Sequence, residues 1–390
     1  MNRLVDLKKL IALFVFAWLA VAGVTTGRAD QGVFDDRIVL GQSAALEGPA
    51  AALGRDFTQG IELAFAEANR AGGVHGRQLR LISRDDGYEP LRAIANTEAL
   101  LGQDRVFALI GEVGTPTARA TVPIAQEQGV PFIAPFTGAE FLRDSKWTSV
   151  INIRASYNQE AERGIEYLVS ELGFKRIAVL FQDDTFGRDG LNAVRAALQR
   201  RSLDLVGDAT YKRNTSAVKR AVLHLRDLAP EAVFIIGAYA PAAEFIRISQ
   251  AIGFKPRFMA LSFVGTVTLS EALGASGNGV LITQVMPPYE DRSRPLVSRF
   301  RQALTDYAPD INASFVVLEG YLAGRLTIAT LELLGENPSR KGFLSTLRTG
   351  KLSQLDGLQL NFSAESNQGS DHVYLTEIGP DGNITEVAPK

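Results

Sequence analysis

Short apolar runs of strand character alternate with longer stretches of helical periodicity from Arg37 onward, and this alternation restricts the chain to an α/β architecture. Residues 37–41 read as a first strand. Phe57, Ile61, Ala64, Phe65 and Ala68 then share one helical face, and the stripe stops at Gly72-Gly73, where a left-handed C-cap fits. Residues 79–82, 106–110 and 131–134 read as further strands, with a helix over 91–101. Thr115-Pro116 looks like the N-cap and first residue of another helix. Strands joined through helices pair in parallel, with helices on both faces of the sheet.

The rhythm restarts after Arg154. Ala161, Ile165, Leu168, Val169 and Leu172 form a helical stripe that ends at Gly173. Strands are expected at 176–181, 203–207, 232–236, 258–261 and 280–283. Helices are expected through Leu191, Val194 and Leu198, over 215–228 and over 241–252. Residues 295–307 and 314–334 follow as amphipathic helices, and 358–362 and 373–376 alternate like strands. A length of 390 residues is enough for two βα units of similar size. No Gly/Ser-rich or Pro-rich linker separates them, so the chain is expected to cross between them more than once.

The N-terminus reads as an address. Arg3, Lys8 and Lys9 precede an uncharged apolar run over 10–24, and Gly27 and Ala29 supply small residues at a cleavage site. An N-terminal membrane anchor would need roughly 18 or more apolar residues, and this run is shorter. Residues 1–29 are therefore expected to be a signal peptide, leaving a mature chain free in an exported compartment.

Composition closes off several kinds of chemistry. There are 41 Lys+Arg against 43 Asp+Glu, so no basic field points to nucleic acid. The absence of cysteine excludes disulfides, Cys-ligated zinc, Fe–S clusters and thiol catalysis. His75, His224 and His372 are far apart, which argues against a histidine metal site. Gly350-Lys351 lacks the upstream glycine of a phosphate loop, since position 345 is Ser. No G-x-G-x-x-G follows the first strand, and no G-x-S-x-G elbow is present. Asp85-Asp86 reads as turn and capping chemistry before Gly87. Neither an enzyme nor a bound cofactor or metal is expected.

The chain does carry polar, small-residue loops after strands. They are Leu46-Glu47-Gly48-Pro49, the segment 111–117 and the segment 135–139. In open α/β sheets a ligand sits outside the carboxyl ends of the strands. Gly114 lets a ligand approach the backbone. N–H groups near Thr117 leave the helix start with partial positive charge, and Thr115 and Thr117 add hydroxyl donors. The set suits a carboxylate. The plainer alternative is that Thr115 only caps its helix.

Several stretches together resemble the leucine/isoleucine/valine-binding protein family, type I periplasmic solute-binding proteins of ABC importers. They are Ile38-Val-Leu-Gly, Leu46-Glu-Gly-Pro, Gly60-Ile-Glu-Leu-Ala, Asn69-x-x-Gly-Gly-Val-x-Gly-Arg and Asp85-Asp86-x-x-x-Pro90. Val130-Pro-Phe-Ile-Ala-Pro135, Gly173-Phe-Lys-Arg-Ile-Ala-Val, Phe186-Gly187-x-x-Gly190-Leu and Ala251-x-Gly253-Phe continue the likeness. It implies two Rossmann-like lobes with parallel sheets, joined by three hinge crossings, that close on a solute. Lobe 1 would comprise 36–154 plus 285–362, and lobe 2 would comprise 155–284 plus 363–390.

By the same resemblance, Thr115 matches the carboxylate-binding hydroxyl. Phe136 and Gly138 fall where a backbone carbonyl and a hydroxyl meet the ligand's amino group. Gly138 lacks that hydroxyl, which leaves Thr137 as a candidate substitute. Phe186 and Tyr239 match pocket aromatics, and Leu53 stands where the family has an aromatic wall. Tyr88 and Gly114 occupy the positions of the lobe 1 disulfide. The largest departure is Ser262, where the amino-acid binders place an acid against the ligand's ammonium. A buried ammonium without a carboxylate costs several kcal/mol, roughly. Either Glu47, Glu112, Asp183 or Asp184 serves instead, or the ligand is a carboxylic acid without an amino group, an amide or another solute. The implied partners are a permease pair with its ATPases, and the chain is expected to be a monomer. The alternative role is delivery of a ligand state to a membrane sensor.

Overall fold

In the computed structural model, which describes residues 31–388, the strands sort into two separate main sheets. The expected signal peptide, residues 1–29, lies outside the described residues. The first sheet is all parallel, in the order β2-β1-β3-β4-β5, from β1 (Arg37–Ala44), β2 (Gln78–Asp85), β3 (Ala108–Ile110), β4 (Phe132–Ile133) and β5 (Val150–Ile151). Helices α1 (Ala51–Arg70), α2 (Pro90–Gly102) and α3 (Thr115–Glu127) connect its strands.

The second sheet begins after α4 (Tyr157–Ile165) with β6 (Ile177–Gln182), β7 (Gly207–Tyr211), β8 (Ala232–Ile236), β9 (Arg257–Ala260) and β10 (Leu281–Gln284). Helices α5 (Thr185–Gln199), α6 (Lys219–Asp227), α7 (Tyr239–Ala251) and α8 (Thr266–Leu273) lie between them. The chain then returns to the first unit. Helices α9 (Pro295–Tyr307) and α10 (Phe315–Leu334) pack on α1, followed by α11 (Arg340–Arg348) and a hairpin, β11 (Gln354–Leu355) and β12 (Leu358–Gln359). The last strands, β13 (Tyr374–Ile378) and β14 (Ile384–Glu386), rejoin the second sheet as antiparallel neighbours, giving the order β14-β13-β10-β9-β8-β6-β7.

The chain thus crosses between two α/β lobes three times. Crossings one and three run side by side: Asn152 N–H donates to Asn367 O at 2.8 Å, and Gly369 N–H donates to Asn152 O at 2.7 Å. Arg143 ties both down. Its buried guanidinium donates to Ala139 O (2.9 Å), Arg154 O (3.0 Å) and the Gln368 side chain (3.1 Å). Burial lowers its pKa to about 10.

Lobe 1 owes its firmness to a close helix pair. A Cβ on Gly60 would stand 2.1 Å from Val317 O, and one on Gly320 would stand 2.2 Å from Phe57 O. Glycine lets the backbones of α1 and α10 touch. Local signals hold the other helix starts. Ser156 and Gln159 form a capping box on α4, and Asp184 accepts from Phe186 N–H on α5.

The elements depart from expectation where apolar content misleads. The strand read at 203–207 lies at 207–211 as the sheet edge, where polar residues are tolerated. The stripe 161–172 is α-helical only to Ile165 and continues as a π-helical turn over Glu166–Glu171. Only Leu358–Gln359 of the stretch 358–362 is strand, because Leu360 and Phe362 are buried by packing rather than by a ladder. Helices α8 and α11 and the short strands β5, β11 and β14 add to the elements expected from the sequence.

Candidate functional site

Loops at the carboxyl ends of strands in both sheets meet between the lobes. Tyr88 follows β2 and Phe136 follows β4, whereas Phe186 follows β6 and Phe263 follows β9. Their rings form one fully buried cluster with Phe57 and Tyr157. Phe263 lies 4.6 Å from Phe186, 5.3 Å from Phe136 in a stacked arrangement and 6.1 Å from Tyr88. Phe57 touches Phe136 at 5.3 Å, and Tyr157 touches Phe186 at 5.4 Å. Such pairs contribute beyond their buried area by roughly 0.5–1.5 kcal/mol each.

The polar edge of this cluster is built from hydroxyls. Thr115 Oγ1 and Thr137 Oγ1 share a hydrogen bond of 2.7 Å, and Thr137 lies 3.2 Å from the Tyr157 hydroxyl. Gly114, not Thr115, is the N-cap of α3, at φ +99°. Thr115 is therefore the first helical residue, and its hydroxyl points across to Thr137 rather than capping. Gly138 is small because Tyr157 stands where its side chain would go: a Cβ there would meet the ring at 2.6 Å. The hydroxyl of the neighbouring Thr137 also accepts from Ala139 N–H at 3.2 Å.

Other expected residues divide. Leu53 reaches lobe 2, where a Cβ on Gly265 would lie 2.6 Å from its Cδ2. The Tyr239 hydroxyl accepts from Ala52 N–H at 3.4 Å, also across the lobes. The Thr117 hydroxyl donates to the carbonyls of Val113 and of Gly114, the latter at 2.9 Å, and so is engaged within the start of its own helix. Glu47 stands exposed in its loop, and its N–H donates to Asp85 at 2.9 Å.

The remaining acids named as substitutes for Ser262 are engaged elsewhere. Glu112 is buried between the Thr121 (2.6 Å) and Thr97 (3.3 Å) hydroxyls, and burial pushes its pKa up to about 8. Asp184 caps α5 and pairs with Arg213. Asp183 pairs with Arg188 at 2.8 Å. Asp85 accepts from the N–H groups of Leu46, Glu47 and Gly87, and Asp86 from Tyr88 N–H, as turn chemistry requires.

Sequence reasoning missed the charged centre of the site. Arg154, on the first crossing, is buried with its guanidinium 4.8 Å from the Phe136 ring centroid. Nη2 donates to Ser262 Oγ. Two buried carboxylates flank it at 3.6 Å, Glu160 from α4 and Glu319 from α10. Burial alone would lower the Arg154 pKa, but the two acids outweigh it and raise it. Burial pushes Glu319 up to about 7 against the pull of Arg154. Glu160 also accepts from Ser262 N–H (2.9 Å) and from the Thr283 hydroxyl (2.6 Å). Ser262 therefore faces a guanidinium. Glu319 left a readable signal, an acid alone in the apolar run 315–324.

The rim is latched by polar contacts. Arg213 of lobe 2 pairs with Glu89 of lobe 1 at 2.7 Å, and Asn214 donates to Glu89 and to Gly87 O. Arg119 and Asp189 approach to 3.5 Å.

Two α/β lobes joined by three crossings, which meet through the loops at their strand ends, have the architecture of a two-lobed binding protein. The chain belongs to the periplasmic binding protein family, whose pattern it matches over residues 37–383, and within it to the type I, leucine/isoleucine/valine-binding group that its sequence resembles. An amino acid binding protein of Pseudomonas aeruginosa is 27% identical over 280 residues, 71% of this chain and 73% of that protein. The Escherichia coli Leu/Ile/Val-binding protein is 23% identical over 240 residues, 62% of this chain and 65% of that one. Among solved structures, a possible leucine/isoleucine/valine-binding protein from Rhodopirellula baltica superposes with a TM-score of 0.86 at 38% identity, covering 90% of this chain and 96% of its own. These relatives are binding proteins, not enzymes. Among the described residues no helix is long and apolar enough to cross a membrane.

Proposed function

We propose that the chain is a periplasmic solute-binding protein that captures an amino acid, branched-chain or aromatic, or a related small carboxylate by closure of its lobes. The observation that carries this reading is the pair of buried hydroxyls, Thr115 and Thr137, at the N-terminus of α3 beside an aromatic cluster drawn from both lobes. Hydroxyls and a helix start suit a carboxylate, and the rings suit an apolar group. Closure is then a population shift, since a solute that touches both lobes favours the closed form. Lobe 1 comprises 36–154 plus 285–362 and lobe 2 comprises 155–284 plus 363–390. The working form is a monomer, exported by its N-terminal segment, and it delivers its solute to an ABC permease with ATPase subunits. The names of the P. aeruginosa and E. coli relatives support the amino acid class.

A second reading, an acid without an amino group, is favoured by the Arg154–Ser262 contact, because a guanidinium lies where an ammonium would need a carboxylate. A thermal-shift and calorimetric screen of the refolded, ligand-stripped protein separates the two. A ligand at 100 times its Kd adds about 2.7 kcal/mol of stability. Leucine, valine or phenylalanine shifting the midpoint supports the first reading. Shifts only with acids lacking the amino group support the second. No shift with either class, with Thr115→Val equal to wild type throughout, overturns both.

A further inference from the structure

We propose that Phe263 fills the apolar seat of the cleft when the lobes are closed, and so sets the size of the solute side chain that the protein accepts. The inference rests on the reading of the cleft as a solute site. Phe263 belongs to lobe 2, in the turn Ser262–Val264 between β9 and α8, yet it stacks on Phe136 of lobe 1 and lies near Tyr88 of the same lobe. On its own side it packs against Phe186 at 4.6 Å. Phe136 and Phe186 are the rings that would face an apolar solute group, so Phe263 takes the place between them.

The ring is not free to swing away. Ser262 beside it is held at both its N–H, by Glu160, and its hydroxyl, by Arg154. Gly265 closes the turn in a left-handed conformation at φ +76°, pressed against Leu53. Arg154 and Glu160 are positioning residues for this turn. Opening the lobes withdraws Phe263 from Phe136 and Tyr88 and admits a solute. On reclosure the solute shares the seat with a clamped ring, which favours small aliphatic over ring-bearing side chains. In the absence of solute the same ring bridges the lobes and favours closure.

The test compares wild type with Phe263→Ala and Phe263→Leu, using L-leucine and L-phenylalanine as probes. Calorimetry is expected to show the Kd ratio moving toward phenylalanine by about tenfold or more in Phe263→Ala, the scale on which a pocket reads a change of apolar volume. Phe263→Leu should fall between. Small-angle scattering without solute is expected to show a larger radius of gyration for Phe263→Ala than for wild type. An unchanged Kd ratio overturns the proposal. If neither probe binds any of the three proteins, the amino acid reading fails, and an unchanged radius of gyration then overturns the role of Phe263 as well. If Phe263→Ala does not fold, Phe263→Leu carries both measurements.

Discussion

Tyr88 lies against Gly114 so closely that a Cβ on the glycine would stand 2.0 Å from Cε2 of the ring. These are the two positions at which the family resemblance places a disulfide. A buried ring on a glycine joins the same two loops by packing instead.

Gly114→Ala is expected to destabilise the protein by about 3 kcal/mol or more. The φ of +99° is costly for any residue with a side chain, by roughly 1–3 kcal/mol, and the ring must also move. Urea unfolding followed by circular dichroism reads the loss. A variant as stable as wild type would show that the loops re-form without this contact.

Arg154→Met should be the most damaging single change at the site. It removes the guanidinium that lies 3.6 Å from both buried acids and leaves them only the more distant Arg143, and breaking a buried pair of this kind costs about 3–5 kcal/mol. Glu319→Gln removes one of two acids sharing one guanidinium and should be far milder. Chemical denaturation of both variants checks the order, and a Glu319→Gln loss as large as that of Arg154→Met would contradict it.

Stability should fall as pH rises from 5 to 8. Burial pushes Glu112 up from 4.5 to about 8, Glu319 to about 7, and Asp56 and Asp86 to about 6. Across that window the native state holds protons that the unfolded chain has released, so unfolding becomes easier with rising pH. Each pH unit over which only the native state keeps one such proton costs about 1.4 kcal/mol. Glu112→Gln should flatten the slope of melting temperature against pH. Parallel slopes for variant and wild type would rule Glu112 out as a source.

Glu89→Ala removes the lobe 1 partner of Arg213 and Asn214. The pair is half exposed, so its worth is small, on the order of 0.2–1 kcal/mol. Solute affinity should fall by up to about fivefold at low ionic strength, and the difference should shrink as salt screens the rim. Calorimetry at two salt concentrations reads both effects.

The α/β rhythm was legible because buried parallel strands such as Ala232–Ile236 are short, wholly apolar and bounded by helices. Thr115 and Phe136 of the candidate site stand out through loop position and resemblance, and Phe186 through resemblance alone. The charged centre was not legible, because Arg154, Glu160 and Glu319 come from a crossing and two helices, far apart in sequence, and only the folded chain brings them within 3.6 Å. The edge strand Gly207–Tyr211 was misplaced for a related reason. Its position is fixed by pairing with Ile177–Gln182, a relation that local hydrophobicity does not record.

The glycine-lined contact between α1 and α10 also dictates an order of assembly. Glu67 and Tyr321, bonded at 2.5 Å across that contact, are 254 residues apart. The first lobe to leave the ribosome cannot complete its core until most of the polypeptide has been made, so folding waits on synthesis.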